Sequence, residues 1–172
     1  MATPCLSCSR DPVCHVSTVY LGLGSNLGDR RKEIESALAL IVGRVGVIHA
    51  VSRFYETQPW GYDSREQYLN VATKVETALK PTELLLVTQT IESDIGRHHK
   101  TINGEYLDRP IDIDILIYDD LILQTPTLTI PHPLMHQRAF VLQPLAEIAP
   151  HVIHPVLQKT IAFLNSSEFV IR

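Results

Sequence analysis

The segment IDIDILIY, residues 111–118, has isoleucine at every second position. Side chains of a β-strand point alternately to its two faces, so the four isoleucines, Ile117 included, are predicted to share one face and pack into a core. The opposite face begins with Asp112 and Asp114. The alternation therefore predicts a strand with one buried face and one face that starts acidic.

The rest of the chain supplies strands and helices around this segment. Period-two runs, helical apolar stripes and turn residues predict strands at 18–24, 47–57, 68–77 and 111–118, helices at 30–45 and 81–96, one or two short strands within 120–133, and helices within 136–149 and 159–167. The order β-α-β-β-α-β followed by helices predicts an α+β ferredoxin-like sandwich, an antiparallel sheet with helices packed on it.

Composition limits the classes of partner. The chain has 172 residues, 45% of them hydrophobic, and a net charge of -4. This length suits one domain, assigned to residues 18–172, and the charge lacks the basic excess that nucleic acids or anionic membranes attract. No apolar run approaches the ~20 residues that span a bilayer. We expect a cytoplasmic monomer that binds neither nucleic acid nor membrane.

The first 17 residues contain all three cysteines of the chain and are considered separately from the domain. Cys5, Cys8 and Cys14 are followed by His15. These residue types can ligate zinc, but the spacing is cramped and no second CxxC pair is present. We therefore expect an unpacked, disordered extension whose thiols stay reduced in the cytosol, and a zinc site is the alternative.

Asp112 and Asp114 are the main candidates for chemistry. Because the two residues are two positions apart on a strand, their carboxylates emerge from the same face, roughly 7 Å from each other. Such a pair suits Mg²⁺, which prefers carboxylate, water and phosphate oxygens, but it also fits the solvent face of an amphipathic strand. Arg109 and the basic loop from Arg97 to Lys100 lie close in sequence. Acidic and basic groups converge in this way where metal-bound polyphosphate is held.

Other polar and aromatic residues have two open interpretations each. Gln89 and Glu92 share a helix face that either lines a site or is solvated. Tyr68 and Asn70 share a strand face and could hold a flat heterocycle. Three further residues, His132, Arg138 and Phe140, either belong to a site or are surface charges and a core aromatic.

Six motifs in order resemble those of the 6-hydroxymethyl-7,8-dihydropterin pyrophosphokinases of folate biosynthesis. They are GSNLGDR at 24–30, FYETQPWG at 54–61, YLN at 68–70, the helix with Gln89 and Glu92, RPIDIDIL at 109–116 and IPHPLMHQRAFVLQPL at 130–145. The resemblance runs from about Val19 to about Leu164. It implies transfer of the β,γ-pyrophosphoryl group of ATP to the hydroxymethyl group of the pterin, with release of AMP and two Mg²⁺ ions as cofactors.

The resemblance also implies roles for individual residues. The catalytic group is Asp112 and Asp114 as metal ligands, with Arg97 and Arg109. The pterin contacts are Thr57, Gln58, Trp60, Tyr68, Asn70, Tyr106 and Phe140. The ATP contacts are Gln89, Glu92, His99, Ile115, Thr129, His132 and Arg138. Tyr106 stands where some members have Trp, and His99 where some have Arg. A non-catalytic binding or interaction module on the same fold is the competing hypothesis.

Overall fold

An antiparallel sheet forms the centre of the structure. The computed structural model describes residues 15–58, 66–96 and 108–166. Its strands are β1 (Ser17–Ser25), β2 (Gly46–Val51), β3 (Tyr55–Thr57), β4 (Tyr68–Thr77), β5 (Asp112–Tyr118), β6 (Leu123–Gln124) and β7 (Thr129–Ile130). The order is β2-β4-β1-β5, β3 also pairs with β4, and β6 and β7 form a separate hairpin. The predicted α+β ferredoxin-like sandwich is confirmed.

Helices cover both faces of the sheet. They are α1 (Arg30–Arg44), α2 (Pro81–Asp94), α3 (Ala139–Ile148) and α4 (Ile161–Ser166), with a 3-10 turn at Met135–Gln137. The predicted stripes of α1 and α2 face inward, and they pack with Ile113 and Ile115 of β5 into one core. A second core lies on the opposite face, under α3 and α4. Within the described ranges, no helix has the length and apolar character needed to cross a membrane.

The strict alternation predicted for β5 is wrong at Ile117. Tyr20 of β1 pairs with Ile117 and Leu21 pairs with Ile115, so Leu116 is an extra residue in the ladder. This bulge shifts the phase of the side chains, and Leu116 and Ile117 both pack into the second core. The bulge lies beyond the two aspartates, which keep the shared face that the alternation predicts.

The single strand predicted at 47–57 is interrupted. Val51 pairs with Thr73 and Tyr55 with Asn70, so three residues on this side oppose two on β4. At the interruption, Ser52 N donates to Ala72 O at 2.9 Å, and Ala72 N donates to the Ser52 hydroxyl oxygen at 3.0 Å. The hydroxyl replaces a backbone acceptor, which allows the ladder to skip a residue and β3 to continue.

The N-terminal predictions concern residues that the structure describes only in part. The first strand begins at Ser17, one residue before the predicted domain boundary. Cys5, Cys8 and Cys14 lie outside the described residues. The proposed extension and its zinc alternative therefore stay predictions.

Gly46 in β2 and Gly43 in α1 differ in the space available for a side chain. Gly46 has φ +157°, and a Cβ there would overlap the carbonyl oxygen of Glu76. Gly43, on the exposed side of α1, has open space around it. Gly46→Ala should lower the free energy of unfolding by about 2 kcal/mol or more, and Gly43→Ala should raise it by up to about 1 kcal/mol. Urea denaturation measures both, and equal effects would contradict this packing.

Candidate active site

Two rows of residues cross the sheet on the face covered by α3. In one row Gly24 of β1 pairs with Asn70 of β4 and with Asp112 of β5. In the next row Gly22 pairs with Ala72 and with Asp114. Residues paired across antiparallel strands share a face, so the amide of Asn70 and both carboxylates lie on the same floor.

The glycines leave this floor open at its centre. A Cβ at Gly24 would come within 3.0 Å of Asn70 Oδ1. Glycine in a strand interior often marks a place where another group approaches the backbone closely. A pocket lies over both glycines, lined by Gly22, Leu23, Gly24, Thr57, Gln58, Tyr68, Asn70, Val71, Ala72, Arg109, Asp112, Asp114, Arg138, Phe140, Val141 and Pro144.

One side of the pocket is built from β3, β4 and α3. Asn70 is buried, and its Nδ2 donates to Thr57 Oγ1 at 2.8 Å, which fixes the orientation of the amide. Tyr68 pairs with Thr57 across β3 and β4 and lies on the same face. Phe140, in the first turn of α3, also lines the pocket. Two aromatic rings and an oriented amide thus meet here, the combination predicted to hold a flat heterocycle.

The other side of the pocket is charged. Asp112 pairs with Arg109 at 3.1 Å from Nη1 to Oδ2. Burial alone would lower the pKa of Arg109, but chiefly the charge of Asp112 raises it above its ordinary value. Burial raises the pKa of Asp114 to about 7, and the neighbouring charge of Asp112 adds to this. An added cation would relieve the cost of holding these two carboxylates side by side.

The donor set fits magnesium that arrives with phosphate groups. The described residues contain no cluster of three or more side chains able to cage a metal. Mg²⁺ usually takes only one or two protein carboxylates and completes its shell with water and substrate phosphates. Asp112 and Asp114 meet that requirement.

Asn26 binds the segment just before β5. The sequence analysis did not identify this role. Its Oδ1 accepts from Arg109 N at 2.9 Å, and its own N–H donates to Arg109 O at 3.3 Å. Its Nδ2 donates to Asp108 Oδ1 at 2.6 Å. Asn26, the first residue after β1, therefore positions the backbone of Arg109. The sequence pattern indicated a turn here but not what the asparagine binds.

Glu92 is buried, so a solvated face is the wrong interpretation for this residue. Its Oε1 accepts from Ile113 N at 2.7 Å, a bond to the outer edge of β5. Gln89, one turn earlier on α2, is half-buried. Both lie on the helix that packs against the opposite face, and the Glu92 hydrogen bond brings this helix to the outer edge of the strand that carries the carboxylates.

The other predicted ATP contacts surround the end of β5. His132 N donates to Leu116 O at 2.9 Å, and its Nδ1 accepts from Leu134 N at 3.3 Å. Burial, with help from the Arg138 charge, lowers the pKa of His132 to about 4. The ring is thus neutral near pH 7, and Nε2 carries its proton. Thr129 lies on β7.

Two of the predicted contacts are constrained by their packing. The Ile115 side chain is buried in the core on the opposite face, so only its main chain can reach a ligand in the pocket. Arg138 is buried at the start of α3, with its guanidinium carbon 5.7 Å from the centre of the Phe140 ring. Four predicted residues, Trp60, Arg97, His99 and Tyr106, lie outside the described residues.

The 7,8-dihydro-6-hydroxymethylpterin-pyrophosphokinase (HPPK) family model matches residues 20–150. The chain belongs to this family. It is 48% identical over 141 residues to a 2-amino-4-hydroxy-6-hydroxymethyldihydropteridine pyrophosphokinase from Porphyromonas gingivalis, covering 81% of this chain and 95% of that one. An enzyme of the same name from Aquifex aeolicus is 42% identical over 144 residues, 84% of this chain and 88% of that one.

The fold comparison agrees with this family assignment. A crystal structure of Plasmodium falciparum HPPK-DHPS superposes with a TM-score of 0.73 at 19% identity, covering 88% of this chain and 45% of that one. At that identity the likeness shows the fold alone. The sequence relationships confirm the predicted function, pyrophosphoryl transfer from ATP to hydroxymethyldihydropterin in folate biosynthesis.

The raised pKa of Asp114 predicts how the stability of the protein without metal depends on pH. Between the ordinary value of 3.8 and about 7, the folded protein retains a proton that the unfolded chain releases. Stability should therefore fall as pH rises through this interval. Asp114→Asn should remove this dependence of stability on pH. The melting temperature of the variant should therefore exceed that of the parent by an amount that grows with pH and levels off above about 7. Thermal melts in EDTA measure this.

The exposed Asp120, two residues after β5, provides a control for this experiment. Asp120→Asn, melted under the same conditions, gives the effect of replacing an exposed carboxylate outside the pocket, and the gain of Asp114→Asn is compared with it at each pH. A gain for Asp114→Asn that is independent of pH would contradict the assignment of a burial-raised pKa.

Proposed function

We propose that the pocket over Gly22 and Gly24 is where this protein transfers the β,γ-pyrophosphoryl group of ATP to the hydroxymethyl group of 6-hydroxymethyl-7,8-dihydropterin, releasing AMP. Two Mg²⁺ ions serve as cofactors. We further propose that the protein works as a monomer in the cytoplasm. The observation that carries the proposal is the shared floor: Asn70 and Asp112 both pair with Gly24, and Asp114 pairs with Gly22 on the same face of the sheet.

The aromatic side of the pocket is the proposed pterin slot. It consists of Thr57, Gln58, Tyr68, Asn70 and Phe140, to which Trp60 and Tyr106 are added from the predicted contacts. The pterin ring has donors and acceptors on its edge, which suit the oriented amide of Asn70. Tyr68 and Phe140 supply ring faces for stacking. The slot would then direct the hydroxymethyl group toward the carboxylates.

The charged side is the proposed phosphate and metal site. Asp112 and Asp114 would hold Mg²⁺, and Arg109 and Arg138 offer guanidinium groups that match phosphate oxygens. Bound Mg²⁺ would neutralise phosphate charge and make the pterin hydroxyl easier to deprotonate. The pairing of Arg109 with Asp112 keeps this guanidinium beside the carboxylates. Positioning and charge complementarity do most of the work in phosphoryl transfer.

The predicted nucleotide contacts extend from the carboxylates toward α2 and the turn after β7. We assign Gln89, Glu92, Thr129 and His132 to ATP, with the main chain of Ile115. His132, neutral with a proton on Nε2, can donate a hydrogen bond without adding positive charge. From the predicted loop we add Arg97 as a phosphate ligand and His99 as an ATP contact.

Product analysis separates this function from the alternatives. Protein incubated with ATP, Mg²⁺ and the pterin should form AMP and the pterin diphosphate in equal amounts. An ordinary kinase would form ADP. A non-catalytic binding module would form neither nucleotide, and that result would overturn the proposal.

Removal of either carboxylate should abolish most of the activity. Asp112→Asn and Asp114→Asn preserve shape but remove the charge that metal binding needs, so AMP formation should fall at least about a hundredfold. Asp120→Asn should retain parental activity, because this exposed residue is outside the pocket. Activity within threefold of the parent for either pocket variant would contradict the metal assignment.

Asn70→Ala should distinguish the two substrates. The substitution leaves the pterin edge and Thr57 Oγ1 without a partner, which costs roughly 1–3 kcal/mol. Pterin affinity should fall about tenfold or more, while affinity for an ATP analogue stays within about twofold. Calorimetry measures both constants. Equal losses for the two ligands would remove Asn70 from the pterin slot.

A further inference from the structure

Glu147, near the end of α3, binds the segment that connects β2 to β3. Its Oε2 accepts from the Tyr55 hydroxyl at 2.8 Å and from Arg53 N at 3.2 Å. Its Oε1 accepts from Arg53 Nε at 3.2 Å. One carboxylate therefore receives three hydrogen bonds, two from Arg53 in this connection and one from Tyr55, the first residue of β3. None of these three residues lines the pocket.

Glu147 and Tyr55 lie on the two elements, α3 and β3, that each contribute lining residues to the proposed pterin slot. Phe140 and Pro144 line the pocket from α3, and Glu147 follows them by seven and three residues, which places all three on one side of the helix. Tyr55 begins β3, the strand that carries Thr57. The carboxylate is thus a link between the helix wall and the β3 wall.

Besides Glu147, β3 is held by its ladder with β4 and by the ion pair of Glu56 with Arg30, 2.8 Å from Oε1 to Nη2, in which the Glu56 side chain is 52% exposed. This strand is three residues long, and within the described ranges its ladder partner is β4 alone. It follows the interruption at Ser52, where the regular ladder is already broken. Thr57, which accepts the hydrogen bond that orients Asn70, depends on the placement of this short strand.

We propose that Glu147 is a positioning residue that sets the width of the pterin slot by holding β3 against α3 through Tyr55 and Arg53. This inference rests on the proposed function, because it takes the aromatic side of the pocket as the pterin site. Glu147 touches no reacting atom. Its loss lets β3 move away from α3, so the slot fits the pterin poorly while the nucleotide side is unchanged.

A role confined to stability would have a different signature. The Arg53 side chain is 79% exposed and that of Glu147 is 28% exposed. Exposed ion pairs contribute little to folding. The variants should therefore change ligand selectivity far more than melting temperature, and this contrast is the readout.

The test measures pterin affinity by calorimetry with Mg²⁺ and a non-hydrolysable ATP analogue present. Glu147→Ala should weaken pterin binding about tenfold, with affinity for the analogue within about twofold of the parent. Glu147→Gln keeps an oxygen that accepts from the Tyr55 hydroxyl, so it should recover part of the loss. Asp94→Asn, which breaks the exposed pair of Asp94 with Arg44, is the matched control and should bind both ligands as the parent does.

A combined variant tests whether Glu147 acts through its two partners. Arg53→Ala with Tyr55→Phe should weaken pterin binding about as much as Glu147→Ala, and adding Glu147→Ala should cause no further loss. Independent, additive losses would overturn the proposal. So would unchanged pterin affinity in Glu147→Ala, or equal weakening of both ligands with a lower melting temperature than the control.

The same experiment separates this inference from the function on which it rests. A parent protein that binds no pterin in the presence of nucleotide would overturn both. A parent that binds pterin, with Glu147 variants that bind it equally well, overturns only the role of Glu147.

Discussion

The site depends on the absence of side chains at two positions of the central strand. Gly22 and Gly24 stand between Asn70 and the carboxylates, and any larger residue would fill the space above the sheet. β1 pairs on both sides, so it fixes its neighbours in register and leaves a gap at the same time. The hydrogen-bonded ladder fixes the positions of Asn70, Asp112 and Asp114. The absence of Cβ atoms at the two glycines leaves space for a ligand between them. This is why a buried strand interior can serve as the floor of an active site.

Local periodicity predicted most of the fold, because each helix and strand needs only its own apolar pattern to define a buried face. It failed where a residue is inserted into a ladder. The extra residue in β5 moves Ile117 to the second core, and the Ser52 hydroxyl divides the strand predicted at 47–57. Both features depend on how neighbouring strands pair. A single strand's sequence does not contain that information.

The candidate site divides in the same way. Period two placed Asp112 and Asp114 on one face, and resemblance to a family supplied the roles that spacing alone left open. The sequence analysis missed Asn26 and Glu147, because each binds a residue that is distant in the chain. Arg109 is 83 positions from Asn26, and Arg53 is 94 positions from Glu147. The glycines were a readable signal, since glycine inside a strand indicates a close approach. Contacts between distant elements hold the walls of the pocket.

A structure of the complex with Mn²⁺, an ATP analogue and the pterin would show where metal and substrates bind, because anomalous scattering locates the metal independently of the fit of the ligands. We expect metal bound to Asp112 and Asp114, with the pterin ring between Asn70 and Phe140 above Gly24. Metal away from both carboxylates, or a pterin bound outside the glycine-lined floor, would contradict this expectation.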